Sequence, residues 1–238
     1  MKSIIAGGLA ALVVATAGAD VVTQWNFNGS SSSTVPGGAS SPTASTGSGT
    51  ASLVGGVTGS FASGISNGGS SDPVTTSPSN YGWGTTGYAA QGTDNNLRGV
   101  QFNVSTVGFD SVVVSYDLRH SNTSSRFELF QYSVDGGANW VNFVTFEGNA
   151  GDTWFNGRTV DLSSVAGVAD NANFAFRVVA TFGPAGGGYV ASNGTSSYAG
   201  SGTWRFDMVT VAGNVVPAPG ALALLAAAGT LGLARRRR

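Results

Sequence analysis

The chain has 238 residues, one histidine, no cysteine and a formal net charge of −1. The lack of cysteine excludes a disulfide framework, and one histidine is too few for a His/Cys metal site. Charged residues make up only 10% of the sequence, with no basic excess, so we expect no nucleic-acid partner.

Residues 1–19 have the layout of a signal peptide. Lys2 provides a positive n-region, an apolar run follows, and Ala-Gly-Ala at 17–19 is a small-x-small cleavage site. The mature chain would begin at Asp20. Residues 20–214 then hold six arginines, no lysine and twelve acidic residues, a formal charge of −6. A retained anchor is the alternative, although the apolar run is short for one.

The predicted domain covers residues 20–214 and begins with a strand at 20–28. The Gly/Ser-rich segment 29–80 contains four prolines as breakers. A structureless loop of that length is unusual inside a domain. We therefore expect short strands around 51–57 and at Phe61, joined by Gly/Ser turns.

Apolar and polar residues alternate in four later segments, at 100–104, 112–118, 174–182 and 204–208. This period of two, built from β-branched and aromatic residues, is typical of strands. Helical periodicity is absent from the mature body, apart from a single turn at 163–167. The predicted fold class is all-β, an antiparallel β-sandwich.

A hairpin is predicted at 127–146, where two strand-like runs flank the octet Ser-Val-Asp-Gly-Gly-Ala-Asn-Trp at 133–140. Its Asp-Gly-Gly supplies the positive-φ residues of a tight turn. The octet resembles an Asp-box, with Asn139 in place of the usual Thr. We find one copy, which argues against a propeller. We interpret the motif as a folding device rather than a catalytic one.

The region 99–213 resembles a jelly-roll module of the carbohydrate-binding or adhesin type. The run from Gly202 to Val211, which contains Phe206-Asp207, carries this resemblance. The resemblance implies that the last strand pairs with the first and that a structural calcium ion binds near Asp207, with Asn26 or Asn28 as a further ligand. The alternative is that Asp207 pairs with an arginine or faces water. Apart from this calcium, we expect no cofactor.

No catalytic constellation is evident in the sequence. His120 lies in a predicted turn and is interpreted as a solvated histidine, since nothing around it resembles a nucleophile elbow. Paired carboxylates could cleave glycosidic bonds, but the sequence does not place any two at the required separation. We interpret the following acids as surface solubility groups: Asp117, Glu128, Glu147 and Asp152. The chain is therefore predicted not to be an enzyme.

Aromatic side chains in Gly/Ser-rich or turn-like stretches are candidates for stacking on sugars. They are Trp83, Trp154 and Tyr189. Exposed rings of this kind favour recognition. The alternative is that they cover the edges of the sandwich.

The C-terminal segment 215–238 has three parts. A proline-containing motif leads into an apolar stretch at 220–234, about 22 Å long if helical, and an arginine cluster follows. That stretch is short for a bilayer core of about 30 Å, and the arginines should remain cytoplasmic. The alternative is a buried C-terminal helix. The motif residues are Val216, Pro217, Ala218 and Pro219, and the membrane-stop residues are Arg235, Arg236, Arg237 and Arg238.

This layout resembles a PEP-CTERM sorting signal, with Ala218 where the family motif has glutamate. The resemblance implies recognition by an exosortase, passage through the inner membrane, and delivery to the cell surface or the medium of a biofilm-forming bacterium. Three functions follow as hypotheses. The chain is a non-catalytic surface or matrix protein, a lectin-like module that holds extracellular polysaccharide, or, as the weakest hypothesis, a carbohydrate-active hydrolase.

Overall fold

The computed structural model describes residues 18–217. The predicted transmembrane stretch at 220–234 and the arginine cluster at 235–238 lie outside the described residues, as do Ala218 and Pro219 and most of the signal peptide. Within the described range, no helix is long and apolar enough to cross a membrane.

Residues 18–217 form twelve strands and two short 3-10 helices, at Ser32–Thr34 and Ser66–Gly68. The strands are β1 (Asp20–Trp25), β2 (Thr46–Gly47), β3 (Thr50–Val54), β4 (Thr58–Ser63), β5 (Tyr81–Thr86), β6 (Gly99–Val104), β7 (Phe109–His120), β8 (Phe127–Ser133), β9 (Val141–Glu147), β10 (Thr153–Asp161), β11 (Phe174–Thr181) and β12 (Trp204–Val215). The predicted all-β class is confirmed.

Two antiparallel sheets form a sandwich. The seven-stranded sheet has the order β10-β7-β12-β1-β2, with β5 paired to β12 and β4 paired to β5. The five-stranded sheet has the order β3-β6-β11-β8-β9. Strand β12 pairs with β1 from Trp25 opposite Val209 to Asp20 opposite Gly213. The predicted pairing of the last strand with the first is thus confirmed.

The core lies between the sheets and is rich in aromatic rings. Phe176 stacks between two phenylalanines, with centroids 5.0 Å from Phe102 and 5.4 Å from Phe130. All three rings are fully buried, and burial of each stabilises the fold by about 1.5–3 kcal/mol. Phe174, Val178 and Ala180 of β11 also lie in this core. Because side chains alternate along a strand, Ala175, Arg177 and Val179 face outward.

The sequence analysis did not predict the two-residue strand β2, nor the longer strands β5 and β10. In β5, glycines alternate with aromatic residues, and a Cβ at Gly82 would lie 2.7 Å from Cγ of Arg205. Glycine therefore allows close strand packing here, although it looks like loop composition in the sequence. In β10, a bulge between Phe155 and Arg158 interrupts the alternation that would have indicated a strand.

Candidate functional site

The three aromatic residues predicted to stack on sugars are buried. Trp83 has no exposed surface and its Nε1–H donates to the carbonyl of Ala39 at 2.8 Å. Trp154 donates in the same way to the carbonyl of Ser66 at 2.8 Å. Tyr189 is 3% exposed, and its hydroxyl lies 3.0 Å from two backbone carbonyl oxygens. The prediction that these rings are exposed is therefore wrong. They are buried, and their hydrogen bonds to backbone carbonyls hold the long loops against the sandwich.

A different surface brings polar side chains together, on the outer face of the five-stranded sheet. Core residues of β11 alternate with Arg177, so its side chain lies on that outer face. Strand register places Arg177 opposite Gln101 of β6 and Gln131 of β8, and Gln131 opposite Asn142 of β9. These four residues cross the sheet in a line, here called the polar row.

Hydrogen bonds fix the middle of the polar row. The Nε–H of Arg177 donates to Oε1 of Gln131, and Nε2 of Gln131 donates to Oδ1 of Asn142 at 2.5 Å. Gln131 is buried, whereas Arg177 is half-buried and Asn142 is exposed. Gln131 therefore acts as a support that orients its two more accessible neighbours. At the other end of the row, Gln101 donates to Oδ1 of Asn103 at 2.9 Å.

Trp140 lies against this row. The guanidinium carbon of Arg177 is 4.4 Å from the centroid of a Trp140 ring, a cation–π contact. Both groups are half-buried. Trp140 lies in the connection between β8 and β9, so the contact joins that turn to the central strand β11. An indole, a guanidinium and the three amides of Gln101, Gln131 and Asn142 thereby lie on one side of the sheet.

The Asp-box-like turn places Trp140. Ser133 donates to Oδ1 of Asp135 at 2.6 Å, the same oxygen accepts the Asn139 N–H at 2.9 Å, and Gly137 N–H donates to Ser133 Oγ at 2.8 Å. Gly137 has a φ of 95°, which favours glycine. The hydrogen bonds from Ser133 and Asn139 lower the pKa of Asp135 to about 2. The motif therefore contributes a rigid turn.

Arg177 is an unpaired charge on this face. Within residues 18–217, four arginines form ion pairs with carboxylates, namely Arg98, Arg119, Arg126 and Arg158. Arg177 has no such partner in that range, and no protein acceptor there binds its two terminal nitrogens. Partial burial lowers the pKa of Arg177 from its ordinary value, and a guanidinium remains charged under all physiological conditions.

Two depressions lie on either side of the polar row along the strands. One has a volume of about 190 Å³ and is lined by Thr50, Asn103 and Gly136, among others. The second, of about 320 Å³, is lined by Phe127, Thr145 and neighbouring residues at the opposite end of the sheet. The face therefore has room for an extended ligand on both sides of the row.

Asp207, the predicted calcium ligand, is fully buried on the seven-stranded sheet. Its Oδ2 accepts the Ser70 hydroxyl at 2.6 Å and its Oδ1 accepts the Met208 N–H at 2.8 Å. Burial raises the pKa of Asp207 to about 8, and the nearby carboxylates of Asp72 and Asp117 add to the shift. No arginine forms an ion pair with Asp207 within residues 18–217, and water does not reach it.

The residues around Asp207 supply few free calcium ligands. Asp117 accepts two backbone N–H groups, and Asp72 accepts one backbone N–H and the Asn28 amide. Asn80 Oδ1 is the buried oxygen nearby that has no donor. The described part of the chain contains no group of three or more acidic or histidine side chains arranged to hold a metal. Calcium takes six to eight oxygens, so these side chains alone do not form its site. The calcium ion stays a prediction.

His120 does not lie in a solvated turn. It ends β7, has no exposed surface, and its Nε2 lies 2.8 Å from Oε2 of Glu128. Its Nδ1 is 2.9 Å from the carbonyl oxygen of Ser125, so Nδ1 carries a hydrogen. Arg158 Nε lies 2.9 Å from Oε1 of the same glutamate. This buried cluster ties the two sheets together, and the prediction of a solvated histidine was wrong.

The other carboxylates considered for catalysis also have structural partners. Glu147 pairs with Arg126 at 2.7 Å. Asp152 pairs with Arg119 and accepts the Asn122 amide at 3.0 Å. Distant strands bring these partners together, and no motif in the sequence indicates them. The prediction that these acids are surface groups is wrong for Asp117 and Glu128, which are buried, whereas Glu147 is exposed and Asp152 is half-buried.

Neither a protein-family model nor a curated protein matches the sequence. Among solved structures, the CBM22-1–CBM22-2 tandem domain of Paenibacillus barcinonensis Xyn10C is 12% identical, with a TM-score of 0.47 over 82% of this chain and 50% of that one. The Clostridium thermocellum xylanase 10B CBM22-1–GH10 modules, complexed with xylohexaose, are 14% identical, with a TM-score of 0.39 over 67% of this chain and 26% of that one.

The K2 cleaved adhesin domain of Lys-gingipain is 13% identical, with a TM-score of 0.33 over 58% of this chain and 74% of that one. This protein thus spans half the length of the Paenibacillus chain and about a quarter of the Clostridium chain. With such low identities and with TM-scores below 0.5, none of these similarities bears on the function of this chain.

Proposed function

We propose that this protein is an exported, non-catalytic polysaccharide-binding protein of the cell surface or extracellular matrix. The observation that carries the proposal is the polar row beside Trp140 on the outer face of the five-stranded sheet. Arg177, Gln101 and Asn142 present planar donor and acceptor groups at a spacing that the sheet fixes. The row has open depressions on both sides, which suits an extended chain molecule.

Sugar hydroxyls both donate and accept hydrogen bonds. Two neighbouring hydroxyls can therefore bind the two polar atoms of one amide or guanidinium group. The C–H face of a pyranose is apolar, and an indole offers it a flat surface. A site on paired strands is also preorganised, so little conformational entropy is lost on binding. Three of the carboxylates considered for hydrolysis lie in ion pairs with His120, Arg126 and Arg119, and this supports a non-catalytic role.

We further propose that export and sorting follow from the two ends of the chain. The signal peptide at 1–19 directs the protein across the inner membrane. The motif at 216–219, the apolar stretch at 220–234 and the arginines at 235–238 together present the tail to an exosortase. The protein passes through the inner membrane and then remains on the surface or is released. The three-part layout of the sequence supports this assignment.

Binding is tested with the full-length protein and a panel of insoluble and soluble polysaccharides, by pull-down and affinity electrophoresis. Trp140→Ala should weaken binding about tenfold or more, because it removes the flat surface and the support of Arg177. Gln101→Ala should weaken it about fivefold through one lost hydrogen bond. Unchanged binding in both variants would contradict the proposal that the polar row is the binding site.

Gln24→Ala is the matched control for Gln101→Ala. Gln24 is also half-buried and also donates one side-chain hydrogen bond, to Thr210 at 2.9 Å, but it lies on the other sheet. It should leave binding unchanged. If no polysaccharide in the panel binds the wild-type protein, the binding proposal falls.

Sorting is tested by placing an epitope tag between Asp20 and Val21 and expressing the protein in hosts with and without an exosortase. Cells and medium are fractionated, and the mass of the product is measured. A product shortened near Pro217, and released or surface-bound only with exosortase, is the expected result. A full-length, membrane-held product in both hosts would make the tail a plain anchor.

A further inference from the structure

We infer that the polysaccharide bound by the polar row is acidic, and that Arg177 binds the carboxylate of a uronate residue in it. This inference rests on the proposed function and names the chemical class of its ligand. Three observations carry it: the unpaired charge of Arg177, the fixed plane of its guanidinium, and the neutral character of the side chains around it.

The guanidinium of Arg177 is oriented before any ligand binds. Its Nε–H is held by Gln131, which is in turn fixed by Asn142, and one face of the group lies against Trp140 at 4.4 Å. The two terminal nitrogens have no protein acceptor within residues 18–217. A carboxylate accepts two parallel N–H bonds from such a fork, which is the geometry that arginine favours.

The surroundings of Arg177 leave its charge uncompensated. Along β11 its outer-face neighbours are Ala175 and Val179, and across the sheet they are Gln101 and Gln131. All four are neutral. The acid in the adjoining turn, Asp135, already accepts hydrogen bonds from Ser133 and Asn139 and is not paired with Arg177. A half-buried cation without a counter-ion favours a ligand that brings one.

A single arginine also limits the kind of polyanion. The body carries a formal charge of −6, so long-range attraction of a dense polyphosphate is absent. The electrostatic attraction comes from Arg177 alone, so it acts locally and on one carboxylate at a time. A uronate polymer provides this, because its carboxylates are spaced by whole sugar rings whose hydroxyls can bind Gln101 and Asn142.

The test compares polygalacturonate and alginate with the same polymers after chemical reduction of their carboxyl groups. Reduction converts each carboxylate into a neutral hydroxymethyl group and leaves the linkage and the ring configuration unchanged. By titration calorimetry with the full-length protein, at least one uronate polymer should bind about tenfold or more tightly than its reduced form. Arg177→Gln should abolish this preference, so that the variant binds the native and the reduced polymer about equally, because a glutamine carries no charge to pair with a carboxylate.

Arg98→Gln is the matched control, since Arg98 is already paired with Asp94 and should not affect binding. The comparison of native and reduced polymers uses the wild-type protein, so the inference stays testable even if Arg177→Gln does not fold. Equal binding of native and reduced polymers, or binding of neutral polysaccharides alone, would overturn the acidic ligand while leaving the proposed function intact. Binding of no polysaccharide at all would overturn both.

Discussion

The guanidinium of Arg177 lies 4.4 Å from the centroid of a Trp140 ring, and this contact joins the centre of the five-stranded sheet to the turn between β8 and β9. The turn is held by Asp135, whose carboxylate accepts bonds from Ser133 and from the backbone and side chain of Asn139. The shape of the proposed binding face therefore depends on a residue that does not itself lie on the face.

Asp135→Ala should loosen this turn and release Trp140. We expect the melting temperature to fall by only a few degrees, since the turn is exposed, while polysaccharide affinity falls about tenfold. Tryptophan fluorescence and titration calorimetry measure the two effects. Asp161→Ala is the control, because Asp161 caps an exposed turn at Ser163 away from the face. An Asp135 variant that binds as tightly as the wild type would contradict the link.

The sign of the pH effect on this turn follows from the lowered pKa of Asp135, about 2 compared with an ordinary 3.8. The folded state binds fewer protons than the unfolded state between these values. The stabilisation is therefore complete above about pH 4 and is lost as the pH falls through 2. In Asp135→Ala the loss of stability between pH 4 and pH 2 should be smaller than in the wild type.

Glu128→Gln should destabilise the protein by about 3 kcal/mol or more, because Arg158 and the buried His120 would lose their shared carboxylate. Urea denaturation measures the free energy of unfolding. The matched control is Glu147→Gln, which removes the carboxylate of the more exposed pair with Arg126 and should cost less than about 1 kcal/mol. Equal effects of the two changes would mean that the buried cluster does not tie the sheets together.

Strand alternation in the sequence predicts β6, β7, β11 and β12, and the Asp-Gly-Gly turn predicts the β8–β9 hairpin. The polar row is not predictable in this way. Gln101, Gln131, Asn142 and Arg177 each look like an ordinary outward residue of a strand, and only the pairing register brings them into line. Register is a long-range property that a local pattern does not contain.

Burial of polar groups was missed for the same physical reason. His120 is the last residue of β7, and the Ser-Asn that follows it made the sequence look like a solvated turn. Its burial is tolerated because Glu128 of the other sheet lies 2.8 Å from its Nε2. Trp83 and Trp154 lie among glycines and polar residues, but the Gly/Ser-rich loops close over them and accept their indole N–H bonds. In each case the deciding partner is distant in sequence.

Gly148→Ala should destabilise the fold by about 2 kcal/mol, because a Cβ there would lie 2.4 Å from ring atoms of His120. That ring cannot move away easily, since it packs against Trp204 and Phe155 at 5.5 Å each. Gly194→Ala is the control, because its Cβ would meet nothing within 4 Å, and it should change stability by less than about 0.5 kcal/mol. A stable Gly148 variant would show that the cluster has room to adjust.

Asp207→Asn should make the protein less sensitive to pH. The pKa of Asp207 is raised from 3.8 to about 8 by burial and by Asp72 and Asp117, with Arg205 as a nearby opposing charge. The folded state therefore binds more protons than the unfolded state between these values. The contribution of Asp207 to stability is complete below about pH 4 and is lost as the pH rises through 8.

In Asp207→Asn the melting temperature should fall less between pH 5 and pH 9 than in the wild type, because an amide cannot ionise. Asp110→Asn, a change at an exposed acid on β7, serves as the control and should leave the pH profile unaltered.

The same melting curves test calcium, which would hold Asp207 ionised. If calcium binds there, millimolar CaCl₂ raises the wild-type melting temperature most at pH 9 and has no effect on Asp207→Asn. If it does not bind, the two proteins respond alike, and Asp207 is a buried neutral acid without a metal.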